Sequence, residues 1–167
     1  MRKGYSTSRP QLHIILGMAG QLQARSTSWQ ASNANHYGFL TTPRDLARLG
    51  PLVLMEGNWG DLNMFGTSQW FPLSVTPSQD SNPAYGFLWW LNGTTKHRSS
   101  IGSKPHLLDG SLVPSASQDL IIAMGHEKRR LYISPGHKLV IVRSGSDPGR
   151  GFDEEFWMHV SKVMLGR

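Results

Sequence analysis

One short run of the sequence brings together side chains of the kinds that line polar binding sites. Gly125 is followed directly by His126, Glu127, Lys128 and Arg129, and an apolar stretch precedes them. Imidazole, carboxylate and cationic groups in such a row can hydrogen-bond or orient a polar ligand. The same run also suits a polar connection between two strands of a hairpin. From the residues alone both interpretations stay open.

Other reactive groups are missing or badly spaced. The sequence has no cysteine, which excludes disulfides, thiolate metal sites and a cysteine nucleophile. It has seven histidines, but none are spaced as His-x-His or His-x3-His, and His97 and His106 are nine residues apart. Ser144-Gly145-Ser146 lacks the flanking glycines of a nucleophile elbow. We therefore expect no catalytic residue, no metal and no cofactor.

The composition is that of a folded domain with a moderate excess of basic groups. The chain has 167 residues, 38% of them hydrophobic, and 17 Lys and Arg against 11 Asp and Glu give a net charge of +6. This apolar content excludes a disordered tail. No apolar run approaches the roughly 20 residues that cross a bilayer, so we expect no membrane span. The densest basic group, Lys128 to Arg130, is interpreted as a solvated face, and we expect no nucleic acid partner.

The first part of the chain differs in character from the rest. Residues 1–36 are polar and irregular, and they predict a loop or arm with one short element near 11–22. The apolar run at 12–19 is short and lacks a clean small-x-small cleavage site, so it is not interpreted as a signal peptide. Residues 37–167 are predicted to form the folded domain.

A helix is predicted to begin at Thr42. Thr42 suits the N-cap, Pro43 the first helical position and Asp45 the third. Gly57 is expected to end the helix, and Pro51 to kink it or split its last turn. The apolar face of this helix consists of Leu46, Leu49, Leu52, Val53 and Met55.

The second half of the chain predicts strands followed by a helix. The β-prone runs are Tyr85–Leu91, Leu120–Gly125, Arg130–Ile133 and Leu139–Arg143. Short connections between the last three imply an antiparallel meander. A closing helix over 152–165 has an apolar face of Phe156, Val160, Val163 and Met164. The predicted fold class is α/β of the α+β type, with an antiparallel sheet of about three to five strands covered by this helix and the preceding one.

Six segments follow one another in an order known from one family. They are Tyr37–Gly50, Gly57–Trp59, Tyr85–Trp90, Ala123–Arg129, Tyr132–Arg143 and Phe152–Trp157. The first resembles the pattern Gly-hydrophobic-Ser/Thr-x-Arg-Asp-hydrophobic-Ala-Arg, and the fourth resembles Ala-x-Gly-His-Gly-Gly-Gln. In this order the segments resemble the C-terminal part of the serine β-lactamase-related hydrolases, which include class C β-lactamases, penicillin-binding proteins and esterases. The resemblance therefore implies a partial β-lactamase-like fold.

The resemblance implies acyl transfer by a serine that a neighbouring lysine or tyrosine activates. The two motifs that supply these groups in the family, Ser-x-x-Lys and Tyr/Ser-x-Asn, are absent from this sequence. The chain alone is therefore expected to be inactive. A small-molecule acyl substrate, either an amide, an ester or a β-lactam, is expected only where an N-terminal part completes the site.

The resemblance assigns Gly125 to Arg129 to the third wall of the substrate site. His126 matches the lysine of the Lys-Thr-Gly motif and would hydrogen-bond or orient the acyl side of the substrate. The backbone N–H of Arg129 would face the oxyanion. Relatives usually have glycine in place of Glu127 and Lys128, and two long charged side chains would crowd that surface. A non-catalytic binding or scaffold module is therefore the second hypothesis.

The family also implies something about the sheet edge. N-terminal strands complete the same sheet in the family, so this chain is expected to have an unpaired edge. We expect self-association through that edge, unless residues 1–36 cover it. The resemblance points to a periplasmic or extracellular location, which no residue of this chain decides.

Overall fold

The computed structural model describes residues 28–33, 36–64, 69–98 and 106–166. The chain divides into two compact units, Met1–Leu49 and Gly50–Arg167. The short element predicted near residues 11–22 lies outside the described residues. Where the sequence predicted an irregular arm up to residue 36, the structure instead forms a hairpin of β1 (Ser28–Asn33) and β2 (His36–Leu40).

The first unit continues into α1 (Pro43–Ala47), which begins as the sequence predicted. Thr42 has an extended backbone, and its Oγ1 accepts a hydrogen bond from the backbone N–H of Asp45 at 3.1 Å. The buried carboxylate of Asp45 also pairs with Arg48. The cap therefore satisfies a backbone donor that the first turn of a helix leaves without a partner.

The predicted single helix is divided at Arg48, and α2 (Leu49–Leu54) follows. Pro51 has no N–H to donate to the carbonyl of Ala47, and its ring crowds that carbonyl. The sequence predicted a kink or a split last turn at Pro51. The helix is instead interrupted about one turn earlier, at Arg48. Gly57 ends the helical stretch as expected: its φ is 88°, and its N–H donates to the carbonyl of Leu52 at 2.8 Å.

The second unit consists of short elements around one larger sheet. Its further elements are β3 (Asn58–Trp59), β4 (Leu62–Asn63), α3 (Trp70–Ser74), β5 (Trp90–Leu91), β6 (Lys96–Arg98), β7 (Leu107–Asp109), β8 (Ile121–Met124), β9 (Arg130–Ser134), β10 (Leu139–Arg143) and α4 (Phe152–Met164). β3 pairs with β4 and β6 with β7, each as a small antiparallel hairpin. The four remaining strands form a single sheet.

The sheet has the strand order β10-β9-β8-β5, and all its pairs are antiparallel. Tyr132 at the centre of β9 lies opposite Ile122 on one side and Ile141 on the other. The meander predicted for the last three strands is therefore confirmed. With four strands and a C-terminal helix, the α+β class is confirmed as well.

The core lies between the sheet and α4. Val113, Leu120, Ile122, Tyr132 and Trp157 form one buried cluster, with Phe156 and Val160 packed against it. The predicted apolar face of α4 is wrong at Val163, which is 82% exposed. Trp157, which is 1% exposed, belongs to the buried cluster instead.

The opposite face of the sheet lies against α2. Gly50 has no room for a side chain there, because a Cβ atom would overlap the side chain of Val140 on β10. Val140 pairs with Ile133, which is fully buried. Since strand residues alternate between faces, Val140 and Ile133 lie opposite to the face that contacts α4.

The strand predicted over Tyr85–Leu91 is wrong in its first part. Only Trp90 and Leu91 are a strand, because the chain reverses before them: the N–H of Gly86 donates to the carbonyl of Trp89 at 2.8 Å. This reversal sets Tyr85 opposite Trp90 as an isolated bridge. Leu88 in the turn has a left-handed backbone with φ of 70°.

The sheet has free edges within the described residues. There, β9 is the single strand neighbour of β10, and β5 pairs with Ile121 and Ile122 but leaves Ala123 and Met124 without a partner on that side. Self-association through an edge stays a prediction. In the same part of the chain, no helix is long and apolar enough to cross a bilayer.

Candidate functional site

The predicted site residues form the tight turn between the two inner strands of the sheet, β8 and β9. His126 to Arg129 form a four-residue turn, flanked by a hydrogen bond from the N–H of Gly125 to the carbonyl of Arg129 at 2.8 Å. The N–H of Arg129, the expected oxyanion donor, donates to the carbonyl of His126 at 3.1 Å. That donor is therefore already engaged within the turn.

The turn has an unusual backbone for the residues that occupy it. Glu127 and Lys128 have φ of 54° and 52°, in the left-handed region that favours glycine. They are the two positions at which the resemblance places glycine in the relatives and a charged residue in this chain. Their backbone conformation is therefore one that glycine would adopt with less strain.

The charged side chains of the turn are bound to neighbours. Glu127 pairs with Arg129, Oε2 to Nη2 at 2.6 Å. The ammonium of Lys128 lies 2.9 Å from Oδ1 of Asp147 and contacts the carbonyl of Gly149. His126 is exposed, and within the described residues its imidazole has no hydrogen-bond partner. Of the four predicted site residues that have a side chain, His126 is thus the one whose polar atoms are available to a ligand.

Asp147 is held in its charged form by this arrangement. A hydrogen bond from Lys128 lowers the pKa of the Asp147 carboxyl, and a second one from the backbone N–H of Gly149 acts in the same direction. The carboxylate therefore accepts bonds from the turn and from its own loop.

Arg143, at the end of β10, is hydrogen-bonded to the backbone of the turn. Its Nη1 donates to the carbonyls of Glu127 at 2.8 Å and Lys128 at 3.1 Å, and its Nη2 donates to the carbonyl of Ser146. The guanidinium also lies over the ring of Phe152, 5.3 Å from the centroid. One side chain thus binds both left-handed residues of the turn.

Arg130 corrects the interpretation of the basic group as a solvated face. Its side chain is buried, and it pairs with Asp153 through Nε at 3.0 Å and Nη2 at 3.2 Å. Tyr132 donates its hydroxyl to the same carboxylate. Burial raises the pKa of Tyr132 well above its ordinary value, and the hydrogen bond to Asp153 adds to the effect. Lys128 is likewise mostly covered, so of the three basic residues only Arg129 is largely exposed.

A second polar cluster was missed by the sequence analysis. The hydroxyl of fully buried Ser134 lies 2.9 Å from Oγ of Ser117 and 2.9 Å from Nδ1 of His137. Asp119 lies 3.4 Å from that hydroxyl and accepts the backbone N–H of Gly136. The sequence signal for this cluster was the Ser-Pro-Gly-His turn that follows β9. Its partners Ser117 and Asp119 lie on the loop before β8, and only the fold brings them to the turn.

This cluster contains the residue types of a serine hydrolase triad without its geometry. In a triad the carboxylate orients the imidazole and the serine is open to substrate. Here Asp119 bonds Ser134 and the turn backbone, and Ser134 is fully buried. Partial burial acts to raise the pKa of Asp119, but hydrogen bonds from Ser117, Gly136 and Ser134 outweigh it and the net pKa is lowered. The cluster fastens a turn and does not supply a nucleophile.

Other sequence candidates are not brought together. His97 hydrogen-bonds the carbonyl of Gly110 through Nδ1 on the β6–β7 hairpin, while Ser144 and Ser146 lie on the exposed loop before α4. Across the ranges that the structure describes, no group of three or more His, Asp or Glu side chains could hold a metal ion. No family model, curated protein or solved structure matches this chain.

Proposed function

We propose that this chain is the C-terminal portion of a β-lactamase-like serine hydrolase, acting on an amide, ester or β-lactam only in combination with a part that carries the nucleophile. The observation that supports the proposal is the edge of β8. Ala123 and Met124 have no strand partner on one side within the described residues, and His126, two residues after Met124, has an exposed, unbonded imidazole. A rigid strand edge that ends in a hydrogen-bonding side chain suits one wall of an acyl site.

In this proposal His126 orients the acyl side of the substrate, and Gly125 allows close approach to the end of β8. Glu127 and Lys128 do not obstruct the wall as their length suggested, because their charged ends are bound to Arg129 and Asp147. The nucleophile and its base are supplied by Ser-x-x-Lys outside this sequence.

A non-catalytic binding or scaffold module is the second candidate, and one observation favours it. The N–H of Arg129 is used within the turn, so it donates nothing to an oxyanion unless the turn rearranges. Since removing one oxyanion donor lowers kcat by about 10²–10³-fold in a serine hydrolase, this engagement would strongly reduce acyl transfer.

The two candidates are separated by hydrolysis assays with nitrocefin and p-nitrophenyl acetate. The chain alone should show no serine-dependent turnover, and such turnover would refute the claim that it lacks a nucleophile. Co-expression with an N-terminal segment of a β-lactamase-related hydrolase carrying Ser-x-x-Lys should restore turnover. A stable complex without turnover would favour the scaffold.

In the restored complex, we expect His126→Ala to lower kcat/KM at least about tenfold, since it removes a substrate hydrogen bond. His159→Ala is the matched control, because His159 is exposed on α4, away from the turn. Equal kcat/KM values in the two variants would exclude a substrate role for His126.

A further inference from the structure

The loop between β10 and α4 is tied to the β8–β9 turn by two cations. All residues of this loop, 144–151, are exposed, and none belongs to a helix or strand. We call it the strap. Lys128 reaches from the turn to Asp147 at 2.9 Å and to the carbonyl of Gly149, and Arg143 donates to the carbonyl of Ser146. The strap therefore lies against the turn through contacts that involve charge.

Lys128 is the main fastening of the strap. Its side chain is 12% exposed, while that of its partner Asp147 is 56% exposed. Its backbone takes the left-handed conformation, which a lysine adopts only against a steric cost. The contacts that Lys128 makes with the strap offset that cost, so the ion pair and the shape of the turn depend on each other.

The strap has the backbone freedom to move as a unit. Gly145, Gly149 and Gly151 have φ of 106°, 96° and 78°, and a Cβ at each would meet nothing within 4 Å. Glycines at both ends therefore allow rotation without displacing packed side chains. α4 is held separately, because Asp153 pairs with Arg130 and Trp157 lies in the core.

We propose that the strap is an electrostatic latch, closed over the β8–β9 turn by the Lys128–Asp147 ion pair and opened when that pair is screened or neutralised. Opening frees the ammonium of Lys128 beside His126 and removes one of the contacts that keep Glu127 and Lys128 in their left-handed conformation. This inference rests on the contacts of the turn alone and holds whether or not the turn borders an acyl site.

Backbone ¹⁵N relaxation of the strap amides tests the latch. Lys128→Met keeps the buried aliphatic stem and removes the charge, and we expect it to lower the order parameters of residues 145–151 into the flexible range, below about 0.6, while those of α4 stay near about 0.85. Arg129→Met is the matched control, because Arg129 lies in the same turn but pairs with Glu127. Equal strap order parameters in wild type and Lys128→Met, or an equal fall in both variants, would overturn the proposal.

A second variant and a salt titration keep the test decisive if Lys128→Met is unfolded. Asp147→Asn leaves an oxygen to accept the N–H of Gly149 and removes the charge at an exposed position. It should open the strap as Lys128→Met does. Raising NaCl from about 0.05 M to about 1 M should lower the order parameters of the strap in wild type but not in Asp147→Asn, since that variant lacks the carboxylate on which Lys128 and Arg143 act. A strap that is indifferent to both changes is not a latch.

Discussion

Arg130 and Asp153 form a two-pronged ion pair that joins the start of β9 to the first turn of α4, with N–O distances of 3.0 and 3.2 Å. Nη1 of the same guanidinium donates to the carbonyl of Arg129 at 3.1 Å and lies 3.4 Å from that of Gly125. Arg130 thus holds both ends of the β8–β9 turn while it fastens the helix. The position of the candidate site therefore depends on a residue outside it.

Breaking this pair is expected to destabilise the fold strongly. Asp153→Ala leaves the guanidinium of Arg130, whose side chain is 8% exposed, without its carboxylate, and should lower the free energy of unfolding by roughly 2–4 kcal/mol. Urea denaturation followed by tryptophan fluorescence measures the loss. Glu155→Ala, an exposed position in the same helical turn, should change the free energy by less than about 0.5 kcal/mol.

The double variant Arg130→Met/Asp153→Ala separates a buried charge from lost packing. Because no unpaired charge remains in it, it should be more stable than Asp153→Ala alone. If the double variant were less stable than the single one by the full effect of Arg130→Met, the two residues would act independently and the pair would have no energetic role.

The buried amide of Asn92 makes a further prediction. Its Nδ2 donates to the carbonyls of Val113 and Ser117 at 3.0 and 2.9 Å, and its Oδ1 accepts from the N–H of Val113 at 2.7 Å. Asn92→Ala leaves the buried N–H of Val113 without an acceptor and removes one of two bonds at each carbonyl, which keep those from Ala116 and Leu120. It should therefore lower the free energy of unfolding by about 2–4 kcal/mol. Chemical denaturation measures it.

Asn58→Ala is the control for this change. Asn58 also donates its amide to a backbone carbonyl, that of Met55 at 2.9 Å, but it is exposed. Water replaces that bond, so the variant should lose less than about 1 kcal/mol. Equal losses at Asn58 and Asn92 would show that burial of the Asn92 amide is energetically unimportant.

The parts of the fold that the sequence predicted are those whose signals are local. Thr42 caps α1 through a residue three positions away, and Pro51 interrupts the helix through the carbonyl of Ala47. Both effects depend only on neighbours along the chain. The run Leu139–Arg143 is likewise a strand by its own aliphatic composition.

The parts that the sequence missed depend on partners far away in the chain. The run before Trp90 has strand-forming residues, but Gly86 packs against the carbonyl of Ser74 and the chain turns there. Arg130 was predicted to face solvent. The prediction was wrong because the carboxylate that pairs with Arg130 belongs to Asp153, 23 residues later in the chain. In the candidate site, the sequence identified the turn, but the direction of Lys128 toward the strap depends on the packing of α4 and β10.

Asp119 predicts a dependence of stability on acid pH. Since its folded pKa is lowered from the ordinary value of 3.8, the carboxylate contributes stability above that value, and the contribution is lost as pH falls through the folded pKa. The loss should be at most about 1 kcal/mol, because the group is exposed and solvent screens it. Urea denaturation of wild type and Asp119→Asn between about pH 6 and pH 2.5 measures it.

The difference in stability between wild type and Asp119→Asn should shrink as the solution is acidified. Asp61→Asn, in the exposed turn between β3 and β4, is the matched control and should follow wild type throughout. A difference that stays constant down to the lowest pH would mean that the hydrogen bonds of Asp119 do not depend on its charge.

Leu88 combines an exposed side chain with a strained backbone, and this combination predicts a stabilising substitution. It is 80% exposed and has φ of 70°, a conformation that costs an L-residue about 1–2 kcal/mol and glycine almost nothing. Leu88→Gly therefore relieves strain and loses little packing, although glycine also gains freedom in the unfolded chain. The net effect should be a rise of about 0.5–1 kcal/mol in the free energy of unfolding, measured by urea denaturation. Leu88→Ala keeps the strain and should stay close to wild type, so a gain in Leu88→Ala equal to that in Leu88→Gly would assign the effect to the lost side chain and not to the backbone.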